Sequence, residues 1–307
     1  AIRVTGMRKP AAGVIVHQGE VVRGQPRVGD MALIQVDQER RVQIQRNHTA
    51  THLLHAALHQ VLGDHARQAG SLVAPDRLRF DFTHPESMTR EEILAVEAHV
   101  NEAILADYRL NIKEKPLEEA INEGAMALFG EKYESVVRTI TIGDEEMLSY
   151  ELCGGTHVDE TGDIGLFLIT YEGSIAAGIR RIEAVTGWRA YQIARERMNT
   201  LDAIDHYLGT APAEALPKIK TLSDSLNEAQ KKIEQLQAKR VASAFDEKLG
   251  TAEEIDGIPV MAVILPDANA ETLREMADKF RQNYTSGVAL LASVQEGKPI
   301  LIAAVTE

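Results

Sequence analysis

The spacing of apolar positions changes several times along the chain, and each change marks a new type of element. Residues 1–46 carry short apolar runs broken by Gly and Asp. These are Gly13–Val16, Gly19–Gly24, Met31–Val36 and Arg41–Ile44. That rhythm predicts strands and turns, and a small β-barrel over 1–46. From about His48 to Leu62 the period becomes helical, with Leu53, Leu54, Ala57, Leu58 and Val61 on one stripe and Gly63 as the stop. Ser71–Val73 and Leu78–Phe82 read as strands. In the second, Phe80 and Phe82 alternate with Asp81. Thr89-Arg90-Glu91-Glu92 is a capping-box sequence that opens a helix to about Ala106. A strand at Leu110–Lys113, a short helix from Leu117, and strands at Val136–Ile140, Gly165–Ile169 and Arg180–Val185 follow. Irregular alternation of this kind predicts an α+β domain over 47–187.

After Gly187 the pattern turns helical. Trp188–Tyr207 forms one helix, and Pro212 and Pro217 mark a break. Ile219, Leu222, Leu226, Ala229, Ile233 and Leu236 then repeat with alternating spacings of three and four. The expectation is a helical, coiled-coil-like linker over 188–254. Its polar face, with Lys231, Lys232, Lys239 and Arg240, suits solvent or a partner. Over 255–307 the apolar runs Val260–Leu265, Val288–Ser293 and Ile300–Val305 surround a helix at Ala270–Asn283. Continuous runs predict a partial C-terminal α/β domain whose sheet is covered on both faces.

Composition narrows the choices. The 307 residues are 44% hydrophobic but only 5% aromatic, so aliphatic side chains must fill the cores. A net charge of −13 means that a polyanion would have to be met by a local basic surface. The single cysteine excludes an internal disulfide and fits a reducing compartment, the cytoplasm. No apolar run is long enough to cross a bilayer. The start, Ala1-Ile2-Arg3-Val4, lacks Met and reads as a cut end.

Two stretches carry the chemistry. His48 and His52 stand four residues apart, which on a helix places both imidazoles on one face. Far along the chain, Cys153-Gly154-Gly155-Thr156-His157 holds the lone thiol and another imidazole around a glycine pair that lets the backbone fold back. Three nitrogens and one sulfur suit tetrahedral Zn²⁺. His55 and His59 form a competing pair about 100° round the helix. His48 and His52 are preferred because they face away from most of the leucine stripe. His65, His84 and His99 read as surface, and His17 as a surface or core residue rather than a ligand. Asp81 is a candidate partner for a metal-bound imidazole, or a solvated strand carboxylate. HExxH and P-C-x-x-C are both absent, which excludes the common zinc-protease and nucleobase-deaminase patterns.

Several motifs in order resemble the editing domain of alanyl-tRNA synthetase. They are Asn47–His55, Gln68–Val73, Leu78–Phe82, Gly124–Tyr133, Glu151–His157 and Gly178–Glu183. The similarity is strong over about 1–190. The helical segment and final sheet resemble that family's linker and the start of its C-terminal domain. The resemblance implies hydrolysis of the ester joining Ser or Gly to the 3′ end of tRNA(Ala), with His48, His52, Cys153 and His157 as zinc ligands. It implies that Thr51 and Gln68 face the misacylated amino acid and act in catalysis. Gly154 and Gly155 would offer backbone N–H groups to the substrate oxyanion. The family's ATP-using aminoacylation domain has no counterpart here, so editing and tRNA binding are expected without charging. A homodimer of the full-length protein is compatible with this. The alternatives are a free-standing trans-editing deacylase, a non-catalytic tRNA-binding or dimerisation fragment with a structural zinc, and the threonyl-tRNA synthetase editing domain. That last domain shares the metal motifs, but Gly178–Glu183 favours alanine.

Overall fold

Asp37 begins the helix that organises the first half of the molecule. Its carboxylate accepts from the Arg40 N–H at 3.0 Å and caps α1 (Gln38–Leu62). The Gly63 N–H donates to the His59 carbonyl at the other end, with φ of 104°, a conformation that favours glycine. The computed structural model describes residues 1–11, 14–127, 133–144, 147–295 and 297–306. It divides into two compact units, Ala1–Arg197 and Met198–Glu307.

The expected barrel is not present as a closed barrel. β1 (Ile2–Ala11) and β2 (Val14–Val21) form one exposed antiparallel hairpin. Gly13 lies outside the described residues. No strand forms at Met31–Val36, and Arg41–Ile44 lies inside α1. The physical reason is local. Gln38-Glu39-Arg40-Arg41 are good helix formers behind an Asp cap, and this outweighs the brief alternation of Val42 and Ile44.

The rest of the first unit is α+β, as predicted. β3 (Gln68–Val73), β4 (Leu78–Thr83), α2 (Arg90–Leu105), β5 (Asn111–Pro116), α3 (Leu117–Asn122), β6 (Val136–Ile142), β7 (Ser149–Leu152), β8 (Phe167–Ala176), β9 (Ile179–Thr186) and α4 (Gly187–Leu208) follow in order. One antiparallel sheet has strand order β3-β4-β9-β8, and a second runs β5-β6-β7. The capping box is made as expected, since the Thr89 hydroxyl accepts from the Glu92 N–H while Glu92 accepts from the Thr89 N–H. Leu54 and Leu58 of α1, Val96 and Val100 of α2, and Phe80 and Phe82 of β4 are fully buried in one core. Each such side chain contributes roughly 1.5–3 kcal/mol on leaving water. The amide of Asn101 on α2 closes the edge of β8 by donating to the Phe167 carbonyl at 2.9 Å and accepting the Phe167 N–H at 3.0 Å.

The second unit contains α5 (Pro212–Leu249), β10 (Glu253–Ile255), β11 (Ile258–Ile264), α6 (Ala270–Asn283), β12 (Val288–Gln295) and β13 (Lys298–Val305). Pro212 sits at the start of α5, where its missing N–H costs little. Pro217 lies inside that helix rather than breaking it. The sheet is mixed, with β11 and β12 parallel and the other pairs antiparallel. Val241 and Phe245 of α5 and Phe280 of α6 bury one face. The other face carries exposed Ile264, Leu301 and Val305, so the expected cover on both faces is not there. Among the described residues no helix is long and apolar enough to cross a membrane.

Candidate metal centre

The helix face that carries His48 and His52 is fixed by buried polar groups rather than by leucines. Asn47, 2% exposed, donates to the Ala74 carbonyl at 2.7 Å and accepts from the Thr186 hydroxyl at 2.8 Å. It thereby locks this turn of α1 to the β3–β4 connection and to the end of β9. Thr49, fully buried, accepts from the Val158 N–H at 3.3 Å, and its hydroxyl lies 3.2 Å from His157 Nδ1. The Gln45 amide donates to the His157 carbonyl at 2.6 Å.

The opposing half of the site follows β7. The Cys153 N–H donates to the Arg138 carbonyl at 3.0 Å, which extends the β6 pairing past the end of the strand. The Arg138 guanidinium donates to the Gly155 carbonyl and, at 3.4 Å, to that of Cys153. The loop is therefore held by a fixed cation as well as by its glycines.

The structure brings His48, His52, Cys153 and His157 together. One ligand-type atom from each lies within 4.8 Å of the others. Cys153 Sγ is 3.4 Å from His48 Nε2 and 3.5 Å from His157 Nε2. The imidazole centroids are 4.4 to 5.4 Å apart. The Gly155 N–H donates to Cys153 Sγ at 3.4 Å. A Cβ at Gly155 would stand 1.8 Å from His48 Cε1, so only glycine fits there. Gly154 is exposed, and a Cβ there would meet nothing within 4 Å.

The sequence pattern missed the residue that orients this cluster. Glu151 is 4% exposed, and its carboxylate lies 2.8 Å from His52 Nδ1 and 3.3 Å from His55 Nδ1, while accepting from the Ser149 hydroxyl at 3.0 Å. His52 thus holds its proton on Nδ1 and turns Nε2 towards the cluster. That Nε2 is buried and has no hydrogen-bond partner among the described residues. A buried polar nitrogen left without a partner costs free energy unless something coordinates it. Carboxylate–imidazole pairs of this kind fix the tautomer of metal-bound histidines. The signal was in the sequence, because on an extended strand Glu151 and Cys153 lie on the same side.

The electrostatics fit a cation. Burial opposes ionisation of the Cys153 thiol, but the surrounding imidazoles of His157, His48 and His52 outweigh it and bring the thiol down to about 3. It is a thiolate at neutral pH, the form that binds metal. Burial and the neighbouring imidazoles push His157 down to about 4, against the pull of the sulfur, so it is neutral with a free lone pair. Burial disfavours the imidazolium of His52, but Glu151 more than compensates and raises its pKa to about 10, so a metal ion would have to displace the Nε2 proton. The same pairing holds Glu151 well below the usual carboxylate range despite its burial. The donor set therefore fits a bound Zn²⁺-like ion in composition and burial, with the thiolate and the neutral His157 already in the binding form.

The other expected residues fall as follows. Thr51, 5% exposed, lies one position before His52 on α1, and its hydroxyl donates to the Asn47 carbonyl at 2.8 Å. Gln68 opens β3, opposite Phe82, and its amide donates to Ser71 Oγ at 3.2 Å. Asp81 is neither a partner of the cluster nor solvated. It is 6% exposed and makes a bidentate pair with Arg181 at 2.7 and 3.0 Å. His55 and His59 sit edge to face with centroids 4.5 Å apart, away from the four ligand-type atoms. Within the Gly124–Tyr133 stretch, residues 128–132 lie outside the described residues.

Known proteins resemble the chain over the part that carries the cluster. The family described as "Threonyl and Alanyl tRNA synthetase second additional domain" matches residues 137–183, which include Glu151, Cys153 and His157. The alanine–tRNA ligase of Oleidesulfovibrio alaskensis is 44% identical over 304 residues, 99% of this chain and 34% of that protein. That of Shewanella amazonensis is 48% identical over 293 residues, 95% of this chain and 33% of that protein. That of Acetivibrio thermocellus is 44% identical over 306 residues, 100% of this chain and 34% of that protein. The resemblance carried by the motifs is borne out: over nearly its whole length the chain is similar to alanine–tRNA ligases, and it spans about a third of their length.

Proposed function

We propose that this chain is the editing portion of an alanine–tRNA ligase, and that it hydrolyses the ester of seryl- or glycyl-tRNA(Ala) at a Zn²⁺ site held by His48, His52, Cys153 and His157. The observation that carries this is the buried, unpaired His52 Nε2 turned towards a thiolate and the other imidazoles. Bound zinc would supply a Lewis-acidic positive charge beside the ester. A site that selects alanine by size cannot strongly reject glycine or serine, so a second, hydrolytic site has a chemical reason to exist. Residues 47–187 would form the catalytic domain, 188–254 the linker and 255–307 part of a C-terminal domain, acting in the cytoplasm.

The roles of the chain's own groups follow from their hydrogen bonds. Thr51 has given its proton to the Asn47 carbonyl, so its oxygen offers lone pairs and accepts from the seryl hydroxyl. The exposed Gly154 would offer its N–H to the developing oxyanion, while the Gly155 N–H is engaged with sulfur. Gln68, at the start of β3, would orient the aminoacyl group through its amide.

Thr51→Val keeps the shape and removes the acceptor. One hydrogen bond is worth about 1 kcal/mol, so kcat/KM for seryl-tRNA(Ala) should fall roughly fivefold. Glycyl-tRNA(Ala), which has no side-chain hydroxyl, should fall less. An equal loss for both would remove the proposed role of Thr51.

The test of the whole proposal is serine release from seryl-tRNA(Ala), with and without prior chelation. Hydrolysis that stops on chelation and returns with zinc supports it. Full hydrolysis by the metal-free chain contradicts the metal role. The donor count favours one other possibility, since four protein donors can close a tetrahedron and leave a purely structural ion. In that case the metal-loaded chain would bind tRNA and release no serine.

A further inference from the structure

The only tryptophan in the chain stands on the first turn of α4, and it is not in a core. Trp188 is 68% exposed and Tyr191 49%. Their rings stack with centroids 5.0 Å apart and planes 27° from parallel. Two large aromatic faces held together in water cost hydration that a folded chain usually avoids. Cations stand on the same helix. Arg189 and Arg195 are exposed on the same helix, Arg195 one turn beyond Tyr191. From α1, the Arg46 guanidinium lies against Gly187, where a Cβ would be 3.2 Å from its Nη1, and its Nε donates to the Asp163 carbonyl at 2.7 Å. The N-terminus of this 22-residue helix adds a positive partial charge. This local sign is opposite to the net charge of −13.

We infer that the Trp188–Tyr191 stack is a platform for an unpaired base of single-stranded RNA, with Arg189, Arg195 and the α4 N-terminus taking the adjoining phosphates. A flat apolar face beside fixed cations matches an unstacked base beside its phosphodiester, whereas a duplex keeps its base faces covered. The identity of the strand as the tRNA 3′ end rests on the proposed editing function; the stacking chemistry does not.

The single tryptophan supplies its own probe. Titrating the chain with a five-nucleotide single-stranded RNA should quench Trp188 fluorescence saturably, and the affinity should fall as salt rises. With fluorescein-labelled RNA followed by anisotropy, Trp188→Ala should weaken binding about tenfold or more, since one base stack is worth about 1–3 kcal/mol. Trp188→Phe, which keeps an aromatic face, should recover most of the affinity. Unquenched tryptophan with unchanged affinity in Trp188→Ala overturns the inference. So does a Trp188→Ala variant that loses self-association in sedimentation while binding RNA normally, which would assign the patch to a second copy of the chain. Serine release by a chain that shows no quenching overturns only the platform. Quenching without serine release overturns only the editing function.

Discussion

Gly155→Ala should empty the metal centre while leaving all four ligand residues in place. The added methyl would lie 1.8 Å from His48 Cε1 and 2.3 Å from Nδ1, far inside contact distance. Either the ring or the loop must move. The ring belongs to the cluster, and the loop is tied to Arg138 through the Gly155 carbonyl and to Cys153 through the Gly155 N–H. Any relief therefore separates His48 from Cys153. Losing an orienting partner alone costs about 10- to 100-fold in metal affinity, so displacing a ligand should cost more than that. Metal content per chain, measured by inductively coupled plasma mass spectrometry after dialysis, should drop from near one equivalent to near none. The far-UV circular dichroism should be unchanged, because the position lies in a loop. Gly154→Ala, which meets nothing within 4 Å, is the control and should retain the ion. A Gly155→Ala chain that stays fully loaded would show that His48 is not a ligand.

The second large effect is expected from Glu151→Gln. The carboxylate accepts from both His52 and His55. A glutamine has one acceptor oxygen and turns its NH₂ towards the other ring. Whichever imidazole meets the NH₂ must accept on Nδ1 and carry its proton on Nε2. If that imidazole is His52, its lone pair leaves the cluster. The substitution also removes the negative charge that favours a cation nearby. Zinc affinity, measured by competition with a chromogenic chelator, should fall about 10- to 100-fold. Serine release should fall at limiting zinc and recover in part when zinc is raised. An unchanged affinity would reduce Glu151 to a buried partner with no influence on the metal.

The contrast between Glu151 and Asp81 shows how much of the site was legible in the sequence. The four clustered residues could be read because each pair is local: His48 with His52 on one helix face, Cys153 with His157 around two glycines. Glu151 was legible in the same way, two residues from Cys153 on an extended strand. Asp81 was not. Its partner Arg181 sits opposite it across the β4–β9 pairing, and a local pattern does not give strand register. The α+β order of 47–187 followed from periodicity and the Thr89 cap, and its elements lie close to where they were expected. The barrel failed because two apolar residues in α1, Val42 and Ile44, alternate over too short a span to outweigh an Asp cap and a run of helix formers. Thr51 shows a finer limit. Its bond to the Asn47 carbonyl is what any helical threonine can do, and only the direction of that bond shows that its oxygen keeps its lone pairs.

The proposed hydrolysis depends on one ion bound by one sulfur and three nitrogens. X-ray absorption at the zinc edge of the loaded chain tests that directly. The predicted first shell has a single sulfur near 2.3 Å and nitrogens at about 2.0–2.1 Å, and the sulfur contribution disappears in Cys153→Ser. A shell of nitrogen and oxygen alone, identical in the wild-type chain and in Cys153→Ser, would contradict it.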